Sequence, residues 1–237
     1  MRHSRGRRAL IERDSIARDT TIIRAGVVQG AVRRAVVPEG REQSTPPDEL
    51  RRRVDNLKPG SYIDDIVAEQ DSALYRWHEK LSDALRVYIE PTSAIAGFDP
   101  AYTDLARGAF AEWSEAGFPI RFTFIYDSAS ADIKIRWKEK FPPSEGQRIG
   151  VTERIQTSSF WIASANVDVA NHDSTGRQLN NRIVAGILRH EIGHALGLNH
   201  ASDQTSVMYR ESATTTISAS DRATLRLLYL IPPGSLR

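Results

Sequence analysis

Cysteine is absent from this chain of 237 residues, so the protein has neither disulfides nor cysteine ligands for a metal. The sequence also lacks any apolar run of about 18 residues, which excludes a membrane-spanning helix on sequence grounds. Methionine is scarce, because Met208 is the only one besides the initiator. The remaining composition, 40% hydrophobic and 26% charged, is typical of one substantial domain with a smaller extension.

The N-terminus shows no signal peptide. Residues 1–8 are basic, but residues 9–20 are interrupted by charges and offer no apolar core. Residues 1–58 hold 14 Lys and Arg against 8 Asp and Glu, whereas the rest of the chain holds 18 against 22. We therefore predict that residues 1–60 form a basic, flexible segment, which could be a pro-segment. A role of this segment at nucleic acid or at a membrane surface is the less favoured alternative.

The strongest signal is the stretch from His190 to His200, which reads H-E-x-x-H-x-x-G-x-x-H. Residues four apart lie on one face of a helix, one turn above the other, so His190 and His194 can bind one metal ion. Glu191 lies beside them, where a general base could act on a water at that metal. The pattern predicts a zinc-dependent peptidase. The alternative is a core helix whose histidines form only hydrogen bonds.

A third ligand is predicted at His200, which requires the helix to end soon after His194. On a continuous helix His200 would lie roughly 120° around from His194 and about 9 Å along the axis. Zinc–nitrogen bonds are only about 2.0 to 2.1 Å long. Gly197 is the residue type that ends a helix in the left-handed conformation at little steric cost. We therefore expect a turn at Gly197 that brings His200 back to the metal.

These residues resemble the metzincin zinc signature, in which a methionine-containing turn follows the third histidine. Met208 stands eight residues after His200, so we interpret Ser206–Tyr209 as this Met-turn. Residues 190–209 are most similar to the matrixin branch, because Arg210 occupies the position at which astacin-like and serralysin-like enzymes carry a tyrosine. The lack of cysteine rules out the cysteine switch of many matrixin pro-segments.

The resemblance implies a zinc-dependent endopeptidase that hydrolyses extended polypeptides through a zinc-activated water and a glutamate general base. The implied site comprises three histidine ligands, one general base and two supporting residues, namely His190, His194, His200, Glu191, Gly197 and Met208. The alternative is a zinc-binding interaction module that is catalytically silent or held latent. In a latent form Asp64 or Asp65 could approach the zinc, although helix capping is the favoured role for both.

The patterns predict an α+β catalytic domain over residues 85–233, with a connecting helix or linker at 61–84. The resemblance implies a zincin-like fold with a twisted mixed sheet, an active-site helix, a Met-turn and a C-terminal helix. Asn181 is predicted to cap the active-site helix. By resemblance, the strand at 160–170 is the sheet edge with which a substrate pairs. The other expected elements are helices at 66–77, 99–117 and 218–231, strands at 85–90, 120–124 and 133–137, a loop at 138–150, and helix-compatible stretches at 9–17 and 27–37.

The resemblance also sets expectations for ions, partners and location. One zinc is expected, because only His172 lies between His78 and His190, and the ligands of the structural zinc of matrixins are therefore missing. Calcium is a common structural ion in the family, but no ligand cluster supports one here, and His172 with Asp173 is interpreted as a polar turn. We expect a polypeptide substrate, a monomer and no nucleic-acid partner. The family implies a secreted or extracellular protein, and the missing signal peptide leaves an intracellular location as the alternative.

Overall fold

The computed structural model describes residues 32–37, 45–78, 84–211 and 214–237. Its helices are α1 (Pro47–Leu57), α2 (Ile63–Glu69), α3 (Ala101–Ser114), α4 (Asn181–Ala195) and α5 (Ala219–Leu230). Its strands are β1 (Val32–Val37), β2 (Ala73–Leu74), β3 (Arg76–Trp77), β4 (Leu85–Ile89), β5 (Phe122–Ile125), β6 (Ile133–Lys138), β7 (Gly150–Thr157), β8 (Trp161–Ala170) and β9 (Gly234–Ser235). None of the described helices has the length and apolar character needed to cross a membrane.

The main sheet is mixed and runs in the spatial order β1-β7-β8-β6-β4-β5, with β3 also paired to β8. The β7–β8 pair is antiparallel, and the other pairs of this sheet are parallel. Helices α3 and α4 pack against each other, and α4 lies against β7 and β8. The predicted α+β class, with a mixed sheet, a helix that carries the HExxH motif and a C-terminal helix, is confirmed.

The expectation that residues 160–170 form an edge strand is wrong. These residues form β8, which lies inside the sheet between β7 and β6. Its neighbour β7 was not predicted, because its buried positions include Thr152, Arg154 and Gln156, and polar residues at buried positions hide the apolar alternation of a strand. β7 in turn is covered on its other side by β1.

Two helix predictions are also corrected. The stretch predicted as one helix at 66–77 contains only the end of α2, and the chain then turns into β2 and β3. The described part of the helix-compatible stretch 27–37 is strand β1, and three of its six residues are valines, which favour strands. The stretch at 9–17 lies outside the described residues. The loop predicted at 138–150 contains a short 3-10 turn at Pro143–Glu145 and leads into β7.

Capping residues explain where the two C-terminal helices begin. Ser218 and Asp221 form the predicted capping box at the start of α5, in which each side chain accepts a hydrogen bond from the other residue's backbone N–H. At α4 the capping side chain is Asn180, which accepts a hydrogen bond of 3.0 Å from the backbone N–H of Ile183. The helix therefore begins one residue earlier than expected, and Asn181 is its first residue instead of its cap.

The region before β4 contributes to the same hydrophobic core as the rest of the chain. Leu50 and Val54 of α1 are buried there, together with Ile63 and Ile66 of α2. Strand β2 pairs with β9 near the C-terminus, which ties this region to the end of the chain. The predicted domain boundaries at 60 and 84 stay a prediction, and any truncation has to take account of the buried side chains of α1.

Candidate metal and catalytic site

Three histidines come together at the C-terminal end of α4. His190 and His194 lie one turn apart on the helix, and their Nε2 atoms are 3.0 Å apart. His200 approaches from the following loop, so that one ring nitrogen of each histidine lies within 4.8 Å of the others. All three side chains are buried. This is the group that the spacing of the motif predicted.

The turn that returns His200 to the helix depends on Gly197. The backbone of this glycine has a φ of +109°, in the region that residues with a Cβ rarely adopt. The next residue closes the turn, since Leu198 N–H donates to the carbonyl of Gly193 at 3.0 Å. A Cβ at Gly197 would also lie 2.6 Å from the carbonyl oxygen of Tyr75. Both the backbone angle and the available space therefore require glycine here.

The proton positions on the three rings follow from their hydrogen-bond partners. Each Nδ1 lies against an oxygen that can only accept a hydrogen bond, so each Nδ1 carries the proton. These oxygens are Val207 O at 2.7 Å from His190, Leu198 O at 3.0 Å from His194, and Glu69 Oε1 at 2.8 Å from His200. A neutral ring with its proton on Nδ1 has a lone pair on Nε2 that is available to a metal.

This donor set fits a zinc ion. Two unprotonated Nε2 atoms at 3.0 Å repel each other unless a cation lies between them, and Nε2 of His200 is buried without a hydrogen-bond partner among the described residues. Burial lowers the pKa of His190 to about 3 and holds the pKa of His194 well below its ordinary value, so both are neutral near pH 7. Three neutral histidines are a known ligand set of zinc sites with an open position.

The turn Ser206–Tyr209 lies against this group. The carboxylate of Asp221, at the start of α5, accepts a hydrogen bond of 3.0 Å from the backbone N–H of Val207 and so holds the turn. Met208 is completely buried, and its sulfur packs closely against Gly193 on α4. Through the Val207 carbonyl, the turn also orients the first histidine. Met208 therefore packs against the part of α4 that lies between His190 and His194.

Glu191 is buried beside the histidines. Its Oε2 lies 2.6 Å from Oγ1 of Thr152 on β7, whereas its Oε1 has no hydrogen-bond partner among the described residues. Burial raises its pKa well above the ordinary value of a glutamate. Gly150 lies so close that a Cβ there would overlap the carboxylate. The close approach of β7 thus holds Glu191 in place and leaves one oxygen available.

Several contacts of the site were not visible in the sequence. Thr152 and Glu69 reach the motif from 39 and 131 residues away in the chain, and no local pattern marks either of them. Asp64 and Asp65 do not belong to the histidine group, and neither caps α2, whose N-cap is Tyr62 and has no side-chain capping hydrogen bond. Asp64 pairs with Lys58, and Asp65 accepts a hydrogen bond from the backbone N–H of Ser202.

The polar turn that was predicted at His172 and Asp173 is present. Its Asp173 carboxylate accepts hydrogen bonds from the backbone N–H groups of Thr175 and Arg177 and pairs with the Arg177 side chain. The Asp173 carboxylate thus finds these hydrogen-bond partners within its own turn.

Comparison with known proteins places this geometry in context. A family model described as Matrixin matches residues 76–230. Karilysin of Tannerella forsythia is 31% identical over 109 residues, which cover 44% of this chain and 23% of that protein. Metalloendoproteinase 1-MMP of Arabidopsis thaliana is 28% identical over 112 residues, which cover 44% of this chain and 30% of that protein. The chain thus spans less than a third of the length of these curated relatives.

Proposed function

The chain belongs to the matrixin family, and we propose that it is a zinc-dependent endopeptidase that cleaves extended polypeptides. The observation that carries this proposal is the convergence of three histidine ring nitrogens beside a buried glutamate, one of whose oxygens has no hydrogen-bond partner among the described residues. A silent binding module would have no use for that glutamate. One of the similar proteins is named a metalloendoproteinase, which supports the same reaction class.

We assign the metal ligands to His190, His194 and His200. When bound, zinc would polarise the substrate carbonyl, lower the pKa of a water toward about 7 and stabilise the charge that develops on the carbonyl oxygen. The hydrogen bonds on each Nδ1 hold the rings in the orientation in which Nε2 faces the metal. Gly197 supports this arrangement by forming the turn before His200, and Met208 supports it by packing against Gly193.

Glu191 is the proposed general base. Its free Oε1 would accept a proton from the attacking water and then return it to the amine nitrogen of the leaving chain. The contact of Oε2 with Thr152 keeps the carboxylate from rotating away from the histidines. Because the same oxygen takes and returns the proton, a single well-placed carboxylate serves both halves of the reaction.

We further propose that the substrate pairs with β7, and not with β8. Residues 150–154 of β7 run past the active-site helix, where Thr152 contacts Glu191 and Arg154 donates a hydrogen bond of 3.0 Å to the carbonyl of His194. An extended peptide on the outer edge of β7 would therefore pass beside the histidines. Pairing through the backbone would give affinity without strong sequence preference.

The test of the proposed function is the cleavage of an unstructured protein such as casein. We expect cleavage by the purified chain, complete loss of cleavage after a zinc chelator is added, and recovery when zinc is restored. Zinc content should be one per chain by elemental analysis. Chelator-resistant cleavage, or no cleavage by protein that holds one zinc and lacks residues 1–44, would contradict the proposal.

Strand β1 occupies the edge that we assign to the substrate. It pairs with β7 in parallel from Val32 opposite Thr152 to Val37 opposite Thr157. Its Arg33 pairs with Glu145 and lies 3.5 Å from Glu153, which adds side-chain contacts to the ladder. One strand edge can pair with only one partner at a time, so β1 and a substrate compete for β7.

Deleting residues 1–44 should therefore raise kcat/KM for a peptide substrate severalfold. A tenfold rise would mean that the edge is uncovered about a tenth of the time in the full chain. The matched control is deletion of residues 1–31, which retains β1 and should leave kcat/KM close to that of the full chain. The deletion ends before α1, because Leu50 and Val54 belong to the core. An equal kcat/KM in both truncations would refute competition by β1.

Members of the matrixin family are often secreted or extracellular. For this chain, an extracellular location, a monomeric state and the domain boundaries at 60 and 84 remain proposals. A structural calcium ion has no support beyond the family resemblance.

A further inference from the structure

The third histidine differs from the other two in what holds its ring. His190 and His194 each place Nδ1 against a backbone carbonyl, which is a neutral acceptor. His200 instead faces the carboxylate of Glu69, with Oε1 at 2.8 Å from Nδ1 and Oε2 at 3.0 Å from its backbone N–H. Glu69 therefore accepts hydrogen bonds from both the ring and the backbone N–H of His200.

Glu69 is itself held firmly in this position. It is the last residue of α2, whose Ile63 and Ile66 are completely buried. On the same helix, Asp65 accepts a hydrogen bond of 2.8 Å from the backbone N–H of Ser202. Helix α2 is thus anchored in the core and to the loop that carries the third histidine.

This carboxylate makes one further contact, and the residue that follows it makes a second. Arg210, which follows the Met-turn, donates a hydrogen bond of 2.9 Å to Glu69 Oε1. Immediately after Glu69, the side-chain N–H of Gln70 donates to Oδ1 of Asn199 at 3.0 Å. Arg210 is the residue that distinguishes this sequence from the astacin-like and serralysin-like branches, and in the structure its partner is Glu69.

We propose that Glu69 is a positioning residue for the third zinc ligand, an inference that rests on the proposed zinc site. A carboxylate behind a metal-binding histidine fixes the tautomer with the proton on Nδ1, fixes the ring orientation and makes Nε2 a stronger donor. Glu69 lies outside the region 76–230 that matches the family, so the site is completed by a helix upstream of it. Of the residues of α2, Glu69 is then the one that belongs to the active centre.

The test measures the zinc dissociation constant by competition with a chromophoric chelator for the full chain and its variants. Partners of this kind contribute about 10- to 100-fold to metal affinity, so Glu69→Ala should weaken zinc binding by that factor. Glu69→Gln keeps an acceptor oxygen for Nδ1 but loses the charge, and should give an intermediate value. The visible absorption bands of the cobalt-loaded protein should shift in both variants, because a ligand nitrogen has become a weaker donor.

Asp65→Ala is the matched control, since it removes a contact of α2 with the same loop but leaves His200 untouched. Its zinc affinity and cobalt bands should stay close to those of the unchanged chain, even if Tm falls. Equal zinc affinity in Glu69→Ala and the unchanged chain would overturn the inference, and so would an equal loss in Asp65→Ala. If the unchanged chain takes up no zinc at all, the proposed function fails, and the inference fails with it.

Discussion

Replacing Glu191 with glutamine is expected to lower kcat for peptide cleavage by about 10²- to 10⁴-fold, the range that general acid–base catalysis contributes. Glutamine has nearly the same shape and keeps an oxygen that can face Thr152, which lies 2.6 Å from Oε2 in the structure. An amide cannot accept the proton of the attacking water at pH 7. The loss should therefore appear in kcat, with little change in KM.

The zinc content of Glu191→Gln separates loss of the base from loss of the metal. Because the metal is assigned to the three histidines, the variant should still hold one zinc per chain. Glu115→Gln is a suitable control, since this glutamate lies at the exposed end of α3 and its side chain is 71% exposed. Cleavage by Glu191→Gln at the rate of the unchanged chain would show that another group moves the proton.

The second large effect is expected for His200→Ala, which removes one of three proposed ligands. Partners behind a ligand already contribute up to about 100-fold to metal affinity, so loss of the ligand itself should weaken zinc binding by at least about that factor. Cleavage should fall in parallel when zinc is kept at a concentration near the dissociation constant of the unchanged chain. Competition with a chelator measures the affinity directly.

His78→Ala provides the matched control for this substitution. His78 is exposed, packs against the ring of Trp161 and is not one of the three histidines that come together. Its zinc affinity should equal that of the unchanged chain. Unaltered zinc affinity in His200→Ala would mean that the turn at Gly197 does not deliver a ligand, and the assignment of the site would have to be revised.

Much of the fold could be predicted because the relevant signals are local. The alternation in β4 and β6 and the capping box at Ser218 and Asp221 each act over a few residues. Strand β7 was missed for the opposite reason. Its buried Arg154 is satisfied by the carbonyl of His194 and by the amide oxygen of Asn199, partners at least 40 residues away. From the sequence alone an arginine is expected to be exposed, and its burial can be inferred only when its hydrogen-bond partners are known.

The order of the strands in the sheet could not be predicted for a similar reason. Both β7 and β8 are strands, but which of them lies nearer the edge of the sheet depends on pairings between distant segments. The resemblance pointed to β8, but β8 lies inside the sheet between β7 and β6, and β7 carries the Thr152 that contacts Glu191. The N-terminal strand β1 then pairs in parallel with β7, and that pairing of two distant segments is visible only in the structure.

The sequence by itself determined the histidine group and its glutamate, because helix geometry places residues four apart on one face and because only glycine suits the left-handed turn before His200. It also determined the class of protein through the Met-turn at Met208. Only the tertiary structure decided that Thr152 and Glu69 orient these groups, that Asn180 caps the helix, and that β7 lies beside the site. Those contacts join residues far apart in the chain, and buried hydrogen-bond partners of this kind are chosen by packing, which leaves no pattern along the sequence.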